Sequence, residues 1–434
     1  MFLLLDALYA AALTTLAPWL VWRTVRTGRY RRGLAAKLLG RVELPHSTHL
    51  PVVWFHGVSV GEVHLLTPLV AGFRRRFPAW RVVVSSTTDT GLAEARARFG
   101  PADVVAYPFD FSWACAAAFD TIRPRLVVLA ESELWPTFLA AAQRRRVPVV
   151  VANARLSPRS FARLHRVRGA ARALLLNPVT AFAAQDTDTA DRLVRLGVPA
   201  DKVTVTGSIK YDGAAADRDT PKARALAHRL GLAGPNTPPV LVAGSTHAPE
   251  EGIVLAAAAA LRRRFPTLVL ILVPRHPDRF AEVAGLVERS GVPWVRRSQL
   301  DAPRTTPPAV VLLDTVGELG AAWGLADVGF TGGSLDGVRG GQSMIEPAGY
   351  GVPAVFGPHV WNFKDAARRL VAAGGAVQIA SAAELVPALE KLLADAEYRA
   401  RTGAAARALV AAQQGATGRT VEVLARLGPA SGGR

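Results

Sequence analysis

The chain has 434 residues, half of them hydrophobic, with one cysteine and a formal charge of +18. That length and apolar content allow two domains of ordinary size, each with its own core, and argue against disorder. The lone Cys115 excludes a disulfide framework, a CxxC zinc site and a thioredoxin-like couple, and it fits a reducing compartment.

The positive charge makes nucleic acid, an anionic membrane surface or a phosphorylated substrate the natural partners to test. Arginine supplies most of it, the pattern of a GC-rich genome. Lysine stands only at Lys37, Lys202, Lys210, Lys222, Lys364 and Lys391, so each lysine is more informative.

Residues 1–22, MFLLLDALYAAALTTLAPWLVW, are apolar apart from Asp6, Thr14 and Thr15. This is close to the ~20 residues that span a bilayer as helix, and it reads as a transmembrane or membrane-anchor helix. A basic membrane-proximal segment follows at 23–45, carrying Arg23, Arg26, Arg29, Arg31, Arg32, Lys37 and Arg41, with Trp19 and Trp22 at the junction. The positive-inside rule places the rest of the chain on the cytoplasmic side of a single N-terminal anchor. An interfacial helix is the alternative, because Leu34, Leu38 and Leu39 alternate with basic residues in a way that suits the headgroup layer. A cleaved signal peptide fits less well, since charge follows the apolar run instead of preceding it.

From residue 51 onward, short β-branched runs alternate with alanine- and arginine-rich helical stretches, a doubly wound α/β pattern. Strands are expected at 52–55, 82–85, 104–107, 126–130, 147–151 and 181–184, within a first domain of 46–210. Residues 211–236 carry Gly, Asp and Pro without a strong apolar run and read as a linker. The rhythm restarts with strands at 240–243, 269–273, 310–313, 328–331 and 354–356 in a second domain of 237–415. A C-terminal helix and tail occupy 416–434. Two Rossmann-like domains facing a central cleft follow, and their ligands are expected outside the carboxyl ends of the strands.

The loops at those ends carry the chemistry. HGVSVGEVHLLTPLV (56–70) is a tight turn into a helix with Glu62 in its first turn. Glu62 can act as a general base only if partial desolvation offsets the helix N-terminus, which favours the carboxylate and weakens it as a base; the bland alternative is an acidic residue stabilising its helix. Capping explains most of SSTTDTG (85–91). ESELWP (131–136) puts Glu131 and Glu133 directly after a strand, a costly position unless they are used or paired, with Arg144, Arg145 and Arg146 as possible partners. NARLSPRS (153–160) offers Asn153, Arg155, Ser157 and Arg159, and GSIKYD (207–212) sets Lys210 where an ammonium can stabilise a developing negative charge.

The later loops turn toward anion binding. AGSTHAPEE (243–251) is a strand, a turn and a helix start. VPRHPDRF (273–280) holds Arg275 and His276 between Pro274 and Pro277, and DTVGELG (314–320) follows a further strand. In GFTGGSLDGVRGGQSMIEPAGYG (329–351), Gly332, Gly333 and Ser334 turn after a strand, Gly340 and Gly341 turn again, and a helix is expected near Ser343 with Glu346 in its first turn. Backbone N–H groups there are expected to face an anion. GxGxxG after the first strand, GxxxxGK[ST] and HExxH are all absent, which argues against dinucleotide oxidoreductases and P-loop NTPases.

The ordered set SVGE, ESELWP, NARLS, GSIKYD, AGSTH, PRHP, DTVGEL, GGS, EPAGYG and FGPH…NF resembles the 3-deoxy-D-manno-octulosonic acid (Kdo) transferases of lipopolysaccharide synthesis, from about residue 30 to about residue 370. The resemblance implies a GT-B glycosyltransferase of the cell inner membrane that uses no cofactor. It implies inverting, metal-independent transfer from CMP-Kdo to a phosphorylated lipid A precursor, lipid IVA. By the same resemblance Glu62 is the base, with Lys210 and one of Glu131 and Glu133 stabilising the transition state. CMP-Kdo is expected at Pro274, Arg275, His276, Val316, Gly317, Glu318, Gly333, Ser334, Ser343, Met344, Ile345 and Glu346. The family usually has His-Asn after the double glycine, where this chain has Gln342 and Ser343. A basic nucleic-acid-binding protein is the rival from another class. It is disfavoured because Trp54, Trp135 and Trp294 sit in or beside expected strands, not interleaved with basic clusters.

Overall fold

The computed structural model describes residues 2–27, 34–44, 49–234 and 237–428; Arg29, Arg31 and Arg32 of the expected basic segment lie outside them. The chain divides into two compact units, Met1–Asp212 with Gln414–Arg434, and Gly213–Gln413.

The first unit is built on β1 (Val52–His56), β2 (Arg81–Ser86), β3 (Val104–Ala106), β4 (Pro124–Ala130), β5 (Val149–Ala154), β6 (Ala181–Ala184) and β7 (Val203–Val205). They form one parallel sheet in the order β3-β2-β1-β4-β5-β6-β7. All five residues of β1 are buried, as expected of a strand covered on both faces. Because successive side chains alternate, Trp54 and Phe55 enter opposite cores. Trp54 packs edge-on to Phe119 and Phe138 at centroid distances of 5.4 and 5.1 Å, and its indole N–H donates to Ser85 Oγ at 2.8 Å. Phe55 meets Phe73 at 5.6 Å on the other face. Val421 and Leu424 of the helix Ala416–Leu427 complete that second core, so the end of the chain belongs to the first unit. Asp212 fixes it there by accepting the N–H groups of Gly415, Ala416 and Thr417.

The second unit repeats the plan with β8 (Val240–Thr246), β9 (Val269–Pro274), β10 (Trp294–Arg296), β11 (Val310–Leu312), β12 (Val328–Thr331), β13 (Ala354–Phe356) and β14 (Ala376–Gln378). The sheet is parallel, in the order β10-β11-β9-β8-β12-β13-β14. The stretch read as a linker is only partly a connection. Residues Pro221–Leu230 form a helix, capped by Thr220 accepting from Ala223 N–H, that buries Leu226 and Leu230 in this unit.

The N-terminal apolar stretch forms the helix Phe2–Thr27. Among the described residues no helix is long and apolar enough to cross a membrane. Asp6 is buried against the first unit and accepts from the backbone N–H (2.8 Å) and hydroxyl of Ser112. It thereby caps the helix Ser112–Ile122, whose own N-cap residue, Phe111, contributes no side-chain bond. Tyr9 donates to Asp110, which in turn caps the helix Pro136–Arg144 through the N–H groups of Thr137 and Phe138. Lys37 also turns inward, donating to the Thr87 carbonyl at 2.8 Å instead of facing a headgroup layer. Leu8, Trp19 and Trp22 remain exposed.

Candidate active site

In the first sheet β1 lies beside β4, although two strands intervene in sequence, so the connections leave this pair in opposite directions. Such a reversal opens a crevice at the carboxyl ends of the strands. The loop after β1 enters it tightly: Gly57 N–H donates to the Ser85 carbonyl, and a Cβ on Gly57 would stand 3.0 Å from Glu62 Cβ. Glu62 lies in the first turn of the helix Val60–Arg76. Its carboxylate accepts from Val58 N–H at 2.8 Å and from the Ser59 hydroxyl at 3.3 Å. Burial pushes its pKa up to about 7, reinforced by the negative charges of Glu131 and Glu133 and opposed by those two hydrogen bonds. Desolvation therefore outweighs the stabilisation a helix N-terminus gives a carboxylate.

Glu131 follows β4 in a left-handed conformation, φ 56°, with its N–H donating to the Ala152 carbonyl at 2.9 Å. A non-glycine residue held there is strained, and such residues cluster at functional sites. Its carboxylate pairs with Lys210 Nζ at 3.0 Å. Burial raises the pKa of Glu133, which accepts from the Trp135 indole at 3.2 Å. Of the arginines at 144–146, Arg145 is paired with Asp120 at 2.7 Å. Thr88 accepts from Gly91 N–H, the capping expected of SSTTDTG.

Two residues read as ligand groups serve the scaffold. Asn153, fully buried at φ 53°, accepts Ile209 N–H at 3.0 Å and so positions the segment that carries Lys210. Ser157 caps the helix Pro158–Arg166 by accepting from Ser160 N–H at 3.1 Å.

In the second unit the reversal falls between β8 and β12. Here the glycine loop differs from expectation. Glu250, fully buried, takes the N–H groups of Gly333 (2.7 Å), Ser334 (2.9 Å), Leu335 (3.1 Å) and His247 (3.1 Å). The anion cradled by this turn is thus the protein's own carboxylate. Gly332 is needed because a Cβ would fall 2.5 Å from the Ser245 carbonyl oxygen. Ser334 has no exposed surface; its hydroxyl donates to the Thr331 carbonyl and accepts Gly357 N–H, so its side chain is unavailable to a ligand. Nothing in AGSTHAPEE announced Glu250 except an acidic residue just after the first strand of the unit, the place Glu62 holds in the other.

The remaining expected donor residues divide. Pro274 ends β9 and is buried, whereas Arg275 and His276 are exposed. The His276 ring stands 5.3 Å from that of His247, and the Gln342 amide nitrogen lies 3.2 Å from His247 Nε2. Burial, with the charge of Arg339 adding, lowers the His247 pKa to about 4, so the ring is neutral near pH 7. Val316 and Gly317 are exposed, while Glu318 is held by Arg297 at 2.8 Å and by the Thr315 hydroxyl. The helix begins at Ile345, not at Ser343, and is short, Ile345–Gly349. Met344 and Ile345 bury their side chains, leaving only their backbone for a ligand; Ser343 is half-buried. Glu346 keeps an exposed surface, yet protein crowds its carboxyl, and that desolvation raises its pKa against the pull of Arg275. Among the described residues no group of three or more His, Cys, Asp or Glu side chains could hold a metal ion.

Residues 26–213 match the family model described as 3-Deoxy-D-manno-octulosonic-acid transferase (kdotransferase). The chain is 33% identical over 405 residues to the 3-deoxy-D-manno-octulosonic acid transferase of Haemophilus influenzae, covering 92% of both chains. To the transferase of the same name from Bordetella pertussis it is 36% identical over 431 residues, 96% of this chain and 98% of that one. Among solved structures, UDP-GlcNAc 2-epimerase from Neisseria meningitidis bound to UDP-GlcNAc is similar with a TM-score of 0.56 at 15% identity, over 87% of this chain and 100% of that one. That likeness is one of fold, and with the two Rossmann-like units it identifies the GT-B class. At this identity over nearly its whole length, the chain belongs to the 3-deoxy-D-manno-octulosonic acid transferase family.

Proposed function

We propose that the chain transfers Kdo from CMP-Kdo to a phosphorylated lipid A precursor, lipid IVA, by metal-independent direct displacement with inversion. The observation that carries this reading is the convergence of Glu62, Glu131, Glu133 and Lys210 at the reversal of the first sheet, with the Glu62 pKa pushed up to about 7. A base poised near the working pH is the most effective, because it is both ionised and proton-hungry.

Glu62 takes the proton of the acceptor hydroxyl, the freed oxygen attacks the anomeric carbon of Kdo, and the bond to the CMP phosphate breaks. Lys210, oriented by Glu131, offsets the negative charge that develops as CMP leaves. In the second unit Arg275 and His276 suit the phosphate and ribose of CMP, and the 316–318 loop and the 343–346 backbone complete the donor site.

We assign the chain to the cytoplasmic face of the inner membrane. There the helix Phe2–Thr27 lies in the interface: Asp6 is docked inward and Leu8, Trp19 and Trp22 face out, the disposition of an amphipathic anchor. The test is the product spectrum, by mass, from CMP-Kdo and a lipid A precursor, together with binding of CMP against UDP. Kdo-bearing lipid and a clear preference for CMP are expected; a preference for UDP would sink the donor assignment.

A further inference from the structure

Beside Glu131 the first unit holds a cavity of about 400 Å³ that the displacement chemistry does not use. It lies at the carboxyl ends of β5 and β6, beneath the helix Pro158–Arg166. Val151, Ala154 and Phe182 line it from the sheet, and Leu164, Leu175 and Leu193 from the surrounding helical segments. Protein interiors pack as densely as organic crystals, so a half-open, largely apolar recess of this size beside a core is notable, and its volume falls in the range of ligand pockets.

The mouth has the opposite character. Glu131, Ser132, Arg155 and Ser160 line both this cavity and a polar pocket of about 280 Å³ that adds Glu133 and Ser157. Arg163 also borders the cavity, and Arg159 and Arg166 extend the positive edge along the exposed side of the same helix. That helix is a light roof: none of its nine residues is buried, and it meets the core only through half-buried Phe161 and Leu164. Elements with few buried contacts open at low free energy, so the roof can admit a chain from the side.

An apolar interior, an arginine rim and a polar antechamber with two carboxylates complement an amphiphile with an alkyl tail, a phosphate and a sugar hydroxyl. A free sugar nucleotide has no tail to fill the interior, and arginine at the rim suits the phosphate. We propose that this cavity is an acyl-chain subsite. One alkyl chain of the glycolipid acceptor enters beneath the roof helix, its phosphate meets Arg155 and Arg163, and its sugar remains in the polar pocket beside Glu131 and Glu133. The inference rests on the acceptor reading above and adds where the lipid tail goes.

The test gives the full chain, in detergent, two acceptors: the phosphorylated glucosamine disaccharide with its acyl chains, and the same disaccharide stripped of them. Leu164→Trp fills the cavity from its roof. We expect the KM for the acylated acceptor to rise about tenfold, the effect of roughly two methylene groups denied apolar surface. The KM values for the deacylated acceptor and for CMP-Kdo should not move. An unchanged KM for the acylated acceptor in the folded variant overturns the proposal. Independently, a photoreactive diazirine in an acyl chain should label peptides within 151–193 of the unaltered protein, whereas labelling confined to the helix Phe2–Thr27 overturns it. If the unaltered protein transfers Kdo to no acylated acceptor, the acceptor reading falls, and the photolabel alone decides the cavity.

Discussion

Glu62 and Glu250 hold corresponding places in the two units, each at the start of the helix that follows the first strand of its sheet, yet they meet opposite fates. Glu250 is sealed from solvent and accepts four backbone N–H groups, three of them from the glycine loop after β12. Glu62 is only partly buried and accepts one N–H and one hydroxyl. Burial raises the pKa of both carboxyls. Four hydrogen bonds saturate Glu250 and make it a structural anion, whereas two leave Glu62 acceptor capacity for a proton. The same residue type at the same place is architecture in one unit and candidate chemistry in the other, and the number of N–H groups aimed at it makes the difference.

Three substitutions and a pH profile break or sharpen that contrast. Glu62→Gln keeps the shape and removes the basicity, so transfer should fall by about 10³-fold while CMP binding holds. The pH behaviour has a fixed sign. The base must be ionised, so kcat/KM of the unaltered protein should rise as pH rises through about 7. Because the folded pKa lies above the ordinary value of 4.5, the associated stability is present at low pH and lost as pH rises through about 7. Glu62→Gln should accordingly gain stability relative to the unaltered protein between pH 5 and pH 8 in urea titrations. A variant with near-normal transfer would remove Glu62 from the mechanism.

Glu250→Ala leaves four N–H groups without their acceptor and should cost about 3 kcal/mol or more of stability, read by denaturant unfolding. A stable Glu250→Ala protein that has lost only CMP binding would make the glycine loop a ligand site after all. The smallest effect is expected at the departure from the family pattern. Gln342→Ala removes one hydrogen bond to His247 and should weaken CMP binding roughly fivefold, about 1 kcal/mol, by calorimetry.

What could be read in the sequence follows burial. The central strands are continuous apolar runs, and their positions were legible because a strand covered on both faces must be apolar throughout. The strands that escaped notice, β7, β10 and β14, are three-residue edge strands with few buried side chains, and nothing in their composition separates them from loop. In the site, Glu62, Glu131, Glu133 and Lys210 could be named because charged residues directly after a strand need a reason. Glu250 was hidden because three of its four partners are backbone N–H groups more than eighty residues away, which no side-chain pattern records. Asp6 was ambiguous for a related reason: one carboxylate near the end of an apolar run suits a membrane boundary as well as it suits the start of the helix Ser112–Ile122, 106 residues downstream.

The carboxylate of Asp212 bears on how the protein is made. It stands where the chain leaves the first unit, and the groups it binds, such as Ala416 N–H, arrive 204 residues later. On the ribosome the first sheet is therefore synthesised early but stays open on one face until Val421 and Leu424 have emerged, while the second unit, contiguous in sequence, can close in the interval. Lys210 sits two residues before that carboxylate. A nonsense mutation within 416–427 would thus spare every residue assigned to catalysis and still deprive their scaffold of its last-formed wall.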